Sequence, residues 1–108
     1  MEVENELLLK LLLSEKTKEK CEKKAFEIGK AYFFRTVTYH LTGRVKEQIG
    51  DFLILEDVAW IADSGRFTQA INDGVLSEIE PVSVLVRINI NAITDAFEWK
   101  HSLPNTQK

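Results

Sequence analysis

The residues of this chain able to do chemistry are few and scattered. His40 and His101 are its only histidines and Cys21 its only cysteine, and none stands at ligand spacing from another. That pattern excludes the usual zinc arrangements and leaves both histidines without a partner to orient them as general bases. Glu56 and Asp57 are adjacent, so on an extended strand they point to opposite faces and do not form a working carboxylate pair; a strand end turning toward solvent accounts for them. No glycine-rich phosphate loop and no nucleophile elbow occurs. We expect no catalytic residue, no metal, no cofactor and no enzymatic activity.

Binding chemistry is better represented. In VRININAITDAF, residues 86–97, Val86, Ile88 and Ile90 alternate with Arg87, Asn89 and Asn91. One face of such a strand is apolar and the other carries a guanidinium and two amides. Asn offers both a donor and an acceptor, and Arg a planar fork that binds phosphate or stacks on bases. The same face is equally compatible with a solvated strand, or with Arg87 paired to an acid across a subunit boundary. Arg44, Lys46 and Arg66 are second-rank candidates for contacts to nucleic acid. Phe52, Trp60 and Trp99 read as core or subunit-contact residues rather than base-stacking platforms.

The elements that must position these residues fall into a helical and a sheet portion. Residues 5–30 read as helical, in one or two pieces, because Leu, Ala and straight-chain charged residues dominate and neither Pro nor Gly precedes Gly29. EKTKEKCEKK, with lysines interleaved by glutamates, is a solvated helix face of mixed charge. From Tyr32 the period changes to two, and YFFRTVTYH, RVKEQI and FLILEDVAWI predict strands. Gly43 marks either a hairpin turn or a bend inside one long strand, whereas Gly50-Asp51 is a two-residue hairpin turn. Ser64 can cap a short helix through about Asn72, with Phe67, Ala70 and Ile71 on its inner side and Gly74 ending it. Pro81 then precedes a strand VSVLVRINI, AITDAFEW closes the sheet, and the tail HSLPNTQK is expected to fray.

The 108 residues suit a single domain, residues 1–108: a helical segment over 5–30, a sheet over about 32–99 with a helical insertion at 64–73, and a tail over 100–108. With 17 acidic against 14 basic residues, a net charge of −3 and a pI near 5.4, the chain has no net positive field to draw in nucleic acid. Any such binding needs a local basic patch. One cysteine allows no internal disulfide and suits a reducing compartment, so a cytoplasmic location is expected. MEVENELLLKLLL is acidic at its start, and its leucine run is short and broken by Lys10, which predicts neither a signal peptide nor a membrane span.

A helix followed by a bent antiparallel sheet that ends in two strands with almost no loop between them resembles the Sm-like family, the Sm and LSm proteins and bacterial Hfq, most closely its environmental, phage-type members. GRVKEQIGDFLILED looks like the family's second and third strands, and VLVRININAITDAF like its fourth and fifth, with Val86-Arg87 at the apolar-arginine step. The aspartate-x-x-x-asparagine signature is missing before Phe52, Ile88 replaces the glycine after arginine, and no Tyr-Lys-His triplet occurs. The resemblance covers about residues 20–99. It implies a mainly β fold with an N-terminal helix, a strongly bent five-stranded small barrel. It further implies a homo-oligomeric ring of roughly five to seven copies, closed edge to edge, that binds single-stranded RNA or DNA in chaperoning or processing. On that basis the pore-side loops would be Gly50-Asp51 and the connection from Arg87 to Asn91. The alternative is a structural or protein-interaction ring that touches no nucleic acid.

Overall fold

A run such as Tyr32-Phe33-Phe34, apolar without alternation, is stable in a strand only if both faces of the sheet are covered. The structure, a computed structural model, describes residues 25–108 and meets that requirement. Its strands are β1 (Ala31–Thr36), β2 (His40–Ile49), β3 (Phe52–Asp63), β4 (Glu78–Pro81), β5 (Val86–Asn89) and β6 (Ile93–Glu98), with one α-helix, α1 (Phe67–Asp73), and a 3-10 turn at Ile90–Ala92. All pairings are antiparallel, in the order β4-β3-β2-β1-β6, with β5 also on β3. On one face Tyr32, Phe34, Leu41, Val45, Leu53, Leu55, Val58 and Ile88 form a buried cluster. On the other, Phe33, Ala59 and Ile61 are covered by Ala70 of α1, Leu76, Ile79 and Trp99.

The sheet bends through two bulges of opposite placement in β2 and β3. Between the pairs Thr42↔Ala59 and Arg44↔Glu56 the extra residue is on β3, and between Val45↔Leu55 and Glu47↔Ile54 it is on β2. Gly43 lies inside β2 at the first of these, so the bend and not the hairpin is its role. A Cβ there would stand 3.0 Å from Val58 Cγ2 and 3.4 Å from Leu55 Cβ. The turn at Gly50-Asp51 joins the terminal pair Ile49↔Phe52, with Gly50 at a φ of 57° in its first central position.

Several expectations need correction. The sheet has six strands, not five, because VSVLVRINI is not continuous: β4 includes Pro81, residues 82–85 leave the sheet, and pairing resumes at Val86. β4 and β5 lie end to end along β3. Residues 25–30 form bends and a turn rather than the end of a helix, with Gly29 at a φ of 90° and its N–H bonded to Val45 O at 2.7 Å. The remainder of the helical segment expected over 5–30 lies outside the described residues. The α1 N-cap is Arg66, which makes no side-chain capping bond, and not Ser64.

The tail is not frayed. Trp99 Nε1 donates to Ser102 O at 3.1 Å, His101 Nε2 to Ile71 O at 2.9 Å, and Lys108 and Ile79 exchange backbone hydrogen bonds across the outer edge of β4. Leu103 packs against the second cluster. Four anchors over ten residues offset the entropy that otherwise frees a chain end.

Candidate nucleic-acid interface

Four of the eight candidate residues meet at one end of the sheet. The β2–β3 turn holds Gly50 and Asp51, and the β5–β6 connection holds Asn89 and Asn91; Ile90 N–H donates to Asp51 O at 2.8 Å and so ties the two together. Phe52 pairs with Asn89 beside this bond. Gln48 Nε2 donates to Gly50 O at 3.2 Å. The Asn89 side chain is itself structural, since its Oδ1 accepts from Asn91 N at 2.9 Å and caps the 3-10 turn. Asn91 and Asp51 are exposed.

Arg87 stands two residues back along β5, exposed, and forms no ion pair with any described residue. It is opposite Ile54, and Glu47 is opposite the same Ile54 from β2. Ile54 is 4% exposed, so a buried aliphatic side chain lies between a cation and an anion about 10 Å apart, two strand spacings. Lys46 is exposed at the β2 bulge. Arg87 and Lys46 are balanced by Glu47 and Asp51, and this end of the sheet carries no net basic patch.

The other two candidates lie elsewhere. Arg44 donates from Nη1 to Asp57 Oδ2 at 2.5 Å and lies 3.7 Å from Glu56 Oε1. Strand alternation predicts that Glu56 and Asp57 diverge, and they sit in the middle of β3 rather than at its end. Asp57 adopts a φ of 51° at the bulge, and that rotation brings both acids to one guanidinium. Arg66 is exposed at the start of α1, beyond Asp63 and hence at the opposite end of β3 from Phe52. Of the aromatics, Trp99 is core at 5% exposed, while Phe52 and Trp60 are 45% and 43% exposed.

One polar pair was not anticipated. Arg35 of β1 and Asp95 of β6 are direct cross-strand neighbours and form a two-pronged ion pair, Nε to Oδ1 at 2.6 Å and Nη2 to Oδ2. The guanidinium carbon lies 4.7 Å from the Phe67 ring centre and 5.2 Å from that of Phe97. Hydrogen bonding from Arg35 holds the Asp95 carboxyl below its ordinary range and raises Arg35 in turn. Lys30 is likewise raised, chiefly by its hydrogen bond to Glu27, 3.0 Å away. Sixty residues separate Arg35 from Asp95, so no local pattern could have paired them.

Among the described residues no group of three or more His, Cys, Asp and Glu side chains is placed to hold a metal, and no helix is long and apolar enough to cross a membrane. No protein-family model, curated protein or solved structure matches the chain.

Proposed function

We propose that the protein is a ring-forming, Sm-like, cofactor-free protein of the cytoplasm that binds single-stranded RNA or DNA through repeated Arg87, Asn89 and Asn91 loops, in nucleic-acid processing or chaperoning. The observation that carries this reading is a pair of open strand edges. Among the described residues β5 pairs only with β3, and β6 only with β1, although a three-residue turn joins them. The outer edge of β4, by contrast, is occupied by Lys108. Open edges invite pairing with another chain, and two different edges on one protomer suit a head-to-tail ring. With β4 and β5 counted as one interrupted strand, the sheet has five strands, a number compatible with the small barrel expected from the sequence. The first cluster supports a closed shape, because β6 residues Ile93 and Ala96 and β5 residues Val86 and Ile88 pack into it from opposite ends of the sheet.

Repetition around an axis multiplies weak contacts, which compensates for an acidic chain. Light scattering should give a mass that is a multiple of the 12.4 kDa chain. Fluorescence anisotropy with labelled single-stranded oligonucleotides should show affinity that falls as salt rises and weakens on Arg87→Ala. A monomeric mass removes the ring. The cancelled charge of Arg87 and Lys46 against Glu47 and Asp51 favours a second reading, a structural or protein-interaction ring. Full-size rings with no oligonucleotide binding at low salt would decide for it.

A further inference from the structure

We propose that the hollow beneath the C-terminal tail binds a nucleobase or free nucleoside, with preference for bases that carry an exocyclic amine. This rests on the nucleic-acid reading above only in the choice of ligand class. The hollow, about 610 Å³, lies where the strand opposite β3 breaks off. Three stretches line it: Asp57 and Val58 at the bulge, Pro81 to Ser83, and Ser102 to Asn105 of the tail, with Arg44 beside the first. That volume is in the range of small-molecule sites.

Its chemistry selects for a neutral ring. Arg44 is held by Asp57 and Glu56, so the site offers no excess positive charge to a phosphate. Pro81 from the sheet and Pro104 from the tail line it with rigid apolar rings, and Leu103 adds to that lining. Asn105 Oδ1 accepts from Thr106 Oγ1 at 3.2 Å, which leaves its amide nitrogen, like the Ser83 hydroxyl, without a hydrogen bond to any described residue. A ligand that presents both donors and acceptors at a ring edge satisfies these groups.

Asp57 provides the discrimination. It is the one non-glycine at positive φ among the described residues. Such strain persists where surrounding structure imposes it, and it frequently marks a site. Here the carboxylate, which lines the hollow, accepts from Arg44 through Oδ2, and no described residue donates to Oδ1, which keeps its capacity to accept. An amine of adenine or cytosine can donate to that oxygen; the carbonyl of uracil at the equivalent position cannot.

The test is a titration of the isotope-labelled full chain with adenosine, cytidine and uridine, followed by amide NMR shifts. Adenosine and cytidine should move the Val58, Ser83 and Asn105 signals at lower concentration than uridine. Ser83→Trp, at an exposed position that faces the hollow, should abolish the shifts. Asn105→Ala, also exposed, should weaken binding by roughly two- to tenfold, the effect of one lost hydrogen bond. Absence of shifts in the unmodified protein, or shifts that persist in Ser83→Trp, overturns the proposal; should Ser83→Trp fail to fold, an unchanged affinity in Asn105→Ala does so instead. Oligonucleotide anisotropy on the same samples separates the two readings. Oligonucleotide binding without nucleoside shifts overturns the hollow alone, nucleoside shifts without oligonucleotide binding overturn the Arg87 collar alone, and neither signal overturns both.

Discussion

Ile79 and Lys108 exchange two backbone hydrogen bonds, Ile79 N–H to Lys108 O at 2.9 Å and Lys108 N–H to Ile79 O at 3.0 Å. The C-terminal tail thereby covers the outer edge of β4 at one point and leaves β5 uncovered. Deletion of residues 105–108 should cost about 1–3 kcal/mol for two lost bonds. It should also expose an edge able to pair with other chains. Thermal unfolding should move down by several degrees, and light scattering should show larger, irregular particles. An unchanged melting temperature with unchanged mass would mean that the tail contributes nothing to edge protection.

Asp95 predicts a specific acid sensitivity. Its carboxyl is held below the usual range, first by the hydrogen bond from Arg35 and then by the positive charge itself, against the opposing effect of partial burial. A folded-state value depressed below the unfolded one contributes stability above the unfolded pKa, about 3.9, and that contribution fades as pH falls through the folded value. The stability difference between the unmodified protein and Asp95→Asn should therefore be constant above about pH 5 and shrink below about pH 4. Denaturant titrations across that interval measure it. Because both side chains remain about one-third exposed, at 35% and 37%, the effect at neutral pH should be small.

What the sequence disclosed follows the range of the forces involved. The Gly50-Asp51 turn was legible because a hairpin of two residues is decided by the backbone freedom of those two. The helix at Phe67–Asp73 was legible from Phe67, Ala70 and Ile71 at helical spacing, though its cap was not, since Asp63 Oδ1 bonds Gly65 N at 2.8 Å and Ser64 takes no part. The break at 82–85 is hidden because VSVLVRINI keeps an apolar residue at every second position from Val82 to Ile90, and Leu85 alone departs from the polar set between them. The interruption lies opposite the bulge at Asp57 on the facing strand, a nonlocal feature. The tail looked unstructured because HSLPNTQK lacks periodicity, yet Leu103 finds the second cluster. At the candidate interface, the structure brings Asn89 and Asn91 to the same end of the sheet as Gly50 and Asp51 through the bond from Ile90 N–H to Asp51 O, whereas Arg44 and Arg66 lie elsewhere, because charge alone carries no information about distance.

Thr42 is fully buried and its hydroxyl has no hydrogen-bond partner. It pairs with Phe33 on β1 and Ala59 on β3, both members of the second cluster, so the oxygen faces apolar neighbours. An unsatisfied buried hydroxyl costs about 1–3 kcal/mol, and its replacement by a methyl of similar shape recovers part of that. Thr42→Val should raise the melting temperature by several degrees without change in mass or spectrum. A fall would show that the hydroxyl is satisfied in solution.

Gly74 tests how the tail and α1 depend on each other. It ends α1 at a φ of 73°, where its N–H bonds Ala70 O at 3.0 Å, and a Cβ there would come within 2.7 Å of the His101 ring. Gly74→Ala thus meets two penalties, left-handed backbone strain of about 1–2 kcal/mol and a clash that only movement of His101 relieves. Gly50→Ala meets the first alone, because nothing lies within 4 Å of its added Cβ. The Gly74 variant should be the less stable of the two in denaturant. Its His101 should also lose the bond to Ile71 O and show the ring chemical shifts of a solvated imidazole. Equal stability of the two variants would mean that the tail yields freely, and the packing of His101 against the end of α1 would then not be what fixes the path of residues 100–108.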